Sequence, residues 1–87
     1  MFNLTESPID AAALRQTLLD NEQCGAFTCF EGWVRRQNDG NGVEYLIYST
    51  YPELALTQGQ EVIAKAKAQF DIENAVCTHR YGRLEVG

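Results

Sequence analysis

A chain of 87 residues is one domain at most, and a domain of that size buries only roughly 60% of the surface its unfolded form exposes, so its core is thin. With 45% apolar and 22% charged residues the composition excludes disorder, and no apolar run approaches the roughly 20 residues of a membrane helix. Twelve acidic against seven basic side chains give a net charge of −5, which argues against general nucleic-acid binding and points to a partner that is small or itself a protein.

The amino terminus, MFNLTESPID, lacks the basic and then apolar pattern of a secretory signal, so the cytoplasm is the expected location. Ser7-Pro8-Ile9-Asp10 is a helix start, with Ser7 as the cap, Pro8 at the first helical position and Asp10 completing the box-like spacing. Ile9, Ala13, Leu14 and Leu18 recur at helical intervals to about Asn21, which predicts a helix laying one apolar stripe on a sheet. Two strand-favouring runs follow, Ala26 to Val34 and Val43 to Tyr51. Between them Asn38-Asp39-Gly40-Asn41-Gly42 can supply the positive φ angles of a tight reversal, and the whole reads as a β-hairpin. The first run is apolar on both faces as far as Glu31 and is expected to be covered on both, by helices or by another subunit.

Pro52 opens a second helix, with Thr50 as its cap. Leu56, Gly59, Ile63, Ala66 and Phe70 share one face of it, and Gly59 on that face implies close packing against the sheet. Glu61 and Lys65 make an i,i+4 pair on the outer side. A third strand, Ala75 to His79, is expected parallel to the second or one position removed from it. The apolar pattern of Leu84-Glu85-Val86-Gly87 leaves a sheet edge to be covered, which points to a fragment, a partner chain, or both. Residues 1–87 thus read as a single α+β domain, an antiparallel hairpin plus a further strand in a mixed sheet with two packed helices and an incomplete edge. Cys24, Cys29 and Cys77 are odd in number and show no C-x-x-C spacing, so neither a disulfide framework nor a zinc site is indicated; they are expected to pack as small apolar residues.

Four of the seven basic residues, Arg35, Arg36, Arg80 and Arg83, stand just past strand ends, and the one histidine, His79, adjoins Arg80. Strand ends of one sheet commonly converge on one rim. The two groups can therefore share an anion pocket, within one chain or across a dimer, where guanidinium forks grip phosphate or carboxylate. Each feature also has a plain structural use: paired arginines solvate a turn, and a histidine at a strand end satisfies a backbone carbonyl. No nucleophile motif, glycine-rich phosphate loop or suggestive carboxylate pair is present.

The segment from Gly25 to Gly40, GAFTCFEGWVRRQNDG, resembles the pattern G-A-x-x-x-F-x-G-x-V-R-x-x-N-x-G of the large, catalytic subunit of molybdopterin synthase, and HRYGRL from His79 to Leu84 resembles that family's H-R-x-G-x-L. The likeness spans roughly Cys24 to Gly87. It implies an α+β fold, a homodimer, and a small ubiquitin-like sulfur carrier whose thiocarboxylated tail delivers sulfur to cyclic pyranopterin monophosphate in molybdenum cofactor biosynthesis, with no cofactor of the subunit's own. By the same resemblance Arg35 holds the substrate phosphate or another anionic group, Phe30 and Arg36 shape that pocket, and His79 and Arg80 act there or brace the strand. The family's catalytic lysines lie in a segment resembling K-x-x-x-P-x-W-K-x-E, which these residues do not contain; Lys65 and Lys67 match no family position. The expectation is therefore that residues 1–87 are the amino-terminal part of a longer catalytic subunit, that no catalytic residue lies within them and that they are inactive alone. The alternative is a non-catalytic binding or assembly module that keeps dimer or carrier contacts.

Overall fold

A computed structural model describes residues 1–19 and 21–87 and orders them as β1 (Phe2–Thr5), α1 (Ala11–Gln16), β2 (Gln37–Asn38), β3 (Asn41–Gly42), β4 (Tyr45–Tyr48), α2 (Pro52–Gln69), β5 (Cys77–Arg80) and β6 (Gly82–Glu85). The class is α+β. In place of one mixed sheet there are three two-stranded pairs: β1 parallel to β5, β2 antiparallel to β3, and β4 antiparallel to β6.

The second helix forms where its sequence places it. Pro52 occupies the first turn, where no intrahelical donor is lost, and Glu53 and Lys67 lie at the ends that suit their charges. Tyr51, not Thr50, is the cap residue, and it contributes no side-chain bond. Gly59 meets β1: a Cβ there would stand 2.6 Å from Cδ2 of Phe2 and closer still to Cγ and Cδ1. Beside it the Gln60 amide donates from Nε2 to the Phe2 carbonyl at 3.2 Å and accepts the Phe2 N–H at 3.3 Å, so one side chain satisfies both backbone groups of that residue. Strand β1 itself is not foreseen in the sequence reading, although Phe2 and Leu4 carry the alternation of a half-buried strand. Arg83 and Glu85 form an ion pair at 2.9 Å, alone of its kind among the described residues, so Glu61 and Lys65 stand apart as separate surface charges.

The first helix is shorter than expected and starts later. Asp10 caps it, its Oδ1 accepting the Ala13 N–H at 3.0 Å, while the Ser7 N–H turns back to the Thr5 hydroxyl at 3.1 Å. At the far end the Thr17 hydroxyl donates to the Leu14 carbonyl at 2.6 Å, and the N–H groups of Leu18 and Leu19 reach three residues back instead of four. The expected continuation toward Asn21 crosses residue 20, which lies outside the described residues.

The hairpin keeps its turn and loses its arms. Asp39 and Gly40 take φ of 51° and 78°, joining Asn38 and Asn41 across a two-residue reversal, and the Val43 N–H extends the pairing to the Arg36 carbonyl at 2.7 Å. Residues 24–35, expected to hold the first arm, form no strand. The returning arm contracts to β4 and pairs with β6, in register Tyr45↔Glu85 to Tyr48↔Gly82. The physical reason is cover: a run apolar on both faces is a good strand only where something packs on both, and Phe30 is 94% and Trp33 75% exposed. The third strand is found two residues later than expected, beside β1 and not beside β4. The closing residues supply a strand, β6, and every two-stranded sheet, β4–β6 included, keeps the open edge that was expected. Among the described residues no side chain is fully buried, and the three cysteines are exposed thiols, not core residues. Among them, too, no helix is long and apolar enough to cross a membrane.

Candidate functional site

The five residues expected to bind substrate fall in three places. Arg35 and Arg36 precede β2 at the base of the turn, both exposed. The Arg35 guanidinium donates to Oδ1 of Asn38, within its own turn, and Arg36 is tied by its carbonyl to Val43. Asn38 therefore does more than shape the reversal: it orients the guanidinium beside it.

Phe30 and Arg80 line a hollow of about 720 Å³ between α1, the unpaired 27–33 segment and the start of β5. Its walls are largely apolar, from Leu14, Leu18, Phe27 and Trp33, with Thr28, Thr78, Cys29 and Cys77 as polar points. Arg80 is half-buried, with Nε donating to the Glu6 carbonyl at 3.3 Å. Arg15 also reaches this hollow, its guanidinium 5.5 Å from the centroid of the Phe27 ring, close enough for a cation–π contact. Sequence reasoning passed over Arg15. The available signal was its place one residue after Leu14, on the edge of the same helical stripe. Arg15 and Arg80 against Glu31 leave this hollow with one surplus positive charge in an acidic protein.

His79 lies elsewhere. Successive residues of a strand project to opposite faces, so His79 and Arg80, adjacent in β5, open onto different hollows. The imidazole lines a smaller space of about 120 Å³ with Phe2, Leu4, Tyr48, Ser49, Thr50 and Ala55. Its ring centroid is 4.8 Å from that of Tyr48, the planes inclined at 57°, and its Nδ1 is 2.7 Å from the Arg80 carbonyl oxygen. The structure thus joins Phe30 with Arg80, and leaves Arg35 with Arg36 and His79 each apart.

At the bend between β5 and β6 the Tyr81 phenol is held above its ordinary pKa of 10.0, first by desolvation, then by the charge of the Glu6 carboxylate and a hydrogen bond to it. Gly82 turns the chain there with φ of 89°, a left-handed conformation that disfavours any side chain. Among the described residues no group of three or more His, Cys, Asp or Glu side chains is placed to hold a metal ion.

Comparison with known proteins adds the family. Molybdopterin synthase catalytic subunits of Haemophilus ducreyi, Haemophilus influenzae and Pyrococcus abyssi are 30%, 35% and 39% identical to the chain over 87, 82 and 70 residues, which is 100%, 94% and 80% of its length. The chain spans about half the length of these curated relatives, namely 58%, 55% and 47% of each. The family model described as MoaE protein matches residues 4–87, a range that takes in the hairpin arginines, the larger hollow, all of the smaller one but Phe2, and the β5–β6 bend, and the chain accordingly belongs to the MoaE protein family.

Proposed function

We propose that this chain forms part of a molybdopterin synthase catalytic subunit, acting in the transfer of sulfur from the thiocarboxylated tail of a small ubiquitin-like carrier to cyclic pyranopterin monophosphate. The observation that carries the reading is the family match across residues 4–87, supported by relatives that bear that name over most of this chain. In this reading Arg35 and Arg36 grip the substrate's negative charge, and Phe30 and Arg80 supply an apolar wall in the larger hollow, which the two hairpin arginines do not line. A guanidinium suits the first role because its charge is permanent and its donors are fixed in a plane. His79 completes the set on the opposite face of β5. The protein works in the cytoplasm, and a second copy and the carrier are its partners.

No lysine lies among the residues lining either hollow, and in this reading the chain by itself does not complete the chemistry. Mixing it with thiocarboxylated carrier and pyranopterin monophosphate should yield no molybdopterin; robust turnover would overturn this assignment of roles. In a subunit that does turn over, Arg35→Ala should weaken substrate binding about tenfold or more, the loss of one charge-assisted hydrogen bond. Unchanged affinity would remove Arg35 from the site.

The exposure of Phe30 and Trp33 favours a second reading, a binding or assembly module that holds carrier or dimer contacts without chemistry. Calorimetric titration with the carrier tests this second reading: no detectable heat would remove it.

A further inference from the structure

Asn41-Gly42 is the one Asn-Gly step in the chain; the other asparagines, Asn3, Asn21, Asn38 and Asn74, all precede residues that carry a side chain. An asparagine loses its amide when the next backbone nitrogen attacks its side-chain carbonyl carbon, and glycine leaves that nitrogen least crowded. Here the nitrogen is also free. Antiparallel pairs alternate between bonded and unbonded, and the Val43 N–H donates to the Arg36 carbonyl at 2.7 Å. Gln37↔Gly42 is therefore an unbonded pair, and the Gly42 N–H points away from β2 with no partner among the described residues. Nothing lies within 4 Å of where a Gly42 side chain would begin. β2 and β3 are two exposed residues each and pair only with one another, so the turn frays readily into the geometry that ring closure requires.

A charge created at residue 41 has a target. Asn41 is directly opposite Asn38, on the same face of the hairpin, where opposed Cβ atoms stand about 4.5–5.5 Å apart. The Arg35 guanidinium reaches that face to donate to Oδ1 of Asn38. Asp39, the carboxylate already in the turn, does not claim it, since Arg83–Glu85 is the one ion pair among the described residues.

We infer that Asn41 is a site of spontaneous deamidation and that the carboxylate formed there captures the Arg35 guanidinium. The Gly42 nitrogen gives up its proton and bonds to Cγ of Asn41, the side-chain amide leaves as ammonia, and water then breaks one of the two ring C–N bonds of the succinimide to leave aspartate or isoaspartate. Water is the only other reactant. A carboxylate in this place engages the guanidinium fork that an external anion would otherwise meet. That last consequence rests on the role proposed above for Arg35; the site and the capture do not.

Warm incubation at mildly alkaline pH, followed by peptide mapping, should show a gain of about 1 Da at residue 41 well before any at the other four asparagines. Gly42→Ala is accommodated, because Gly42 lies outside the left-handed region and its added Cβ meets nothing, and it should slow the change at residue 41 to the pace of the others. Asn41→Asp stands in for the product. Its Arg35 Nε–H resonance should move from the native position, and the shift that inorganic phosphate causes in the native chain should be lost. A mass gain at residue 41 no faster than elsewhere, or undiminished in Gly42→Ala, overturns the site. An Arg35 resonance unchanged in Asn41→Asp overturns the capture. A native chain whose Arg35 ignores phosphate overturns the consequence for anion binding and counts against the proposed role of Arg35, while the site and the capture stand.

Discussion

Adjacency in sequence is a poor guide to shared chemistry on a strand, and His79-Arg80 shows why. The alternation that builds β5 sends one side chain to the hollow beside Tyr48 and the next to the hollow beside Phe30. Arg35 teaches the complementary lesson, since its nearest partner is the amide of Asn38 in its own turn. The bend residue Tyr81 offers a test at this scale. Desolvation and the Glu6 carboxylate raise its pKa in the folded protein, so the folded state keeps the phenolic proton after the unfolded chain has released it. The stabilisation is therefore complete below the unfolded value of about 10 and is lost as pH rises through the folded one. Thermal melts across the alkaline range should show the native protein losing midpoint faster than Tyr81→Phe. Parallel curves for the two would show that the phenol does not titrate against Glu6.

At the scale of elements, the contact between Gly59 and Phe2 decides how α2 and β1 fit together. In an isolated helix, alanine in place of glycine gains about 1 kcal/mol. Here the new methyl would land on the Phe2 ring near Cγ, an atom too close to the backbone to swing aside, so β1 must move and strain its pairing with Gln60. Overpacking of this kind costs about 1–3 kcal/mol. Gly59→Ala should therefore lower the urea midpoint in the native background and raise it in a Phe2→Ala background, and a rise in both would show that the strand yields freely. What could be read from sequence divides along the same line. α2 and the Asp39-Gly40 reversal are local, set by proline, glycine and helical spacing, and both formed as read but for the cap of α2. β1, the partnering of β4 with β6, and the unpaired 24–35 run were illegible, because a strand is defined by a neighbour that can be 75 residues away, as Phe2 and Cys77 are. The site inherited that limit. Its residue types were visible, but which of them meet depends on strand pairing and face.

The whole molecule is open for its length. Its radius of gyration is 15.2 Å, against about 12 Å for a compact domain of this size, and its long axis is 45 Å. The excess comes with uncovered apolar surface: Phe30, Trp33, Tyr51 and Val62 are each at least 66% exposed. Monomeric proteins rarely leave large apolar side chains grouped in water, and Phe30 and Trp33 stand together on the 27–33 wall of the larger hollow. Taking one such side chain out of water contributes about 1.5–3 kcal/mol, so even a modest contact through this wall favours association. Sedimentation over a range of concentrations should show the chain passing from monomer to a larger species, with the emission of Trp33, its one tryptophan, moving to shorter wavelength in step. Phe30→Ala should raise the dissociation constant about tenfold or more, because the side chain it removes is the most exposed large apolar group on the wall. The charge pattern sets the control. At a net charge of −5 the copies repel, so added salt should strengthen an apolar contact of this kind by screening and weaken one built on ion pairs. A chain that stays monomeric throughout, with Trp33 emission fixed at its water-exposed value, would mean that this wall is not a contact surface between copies.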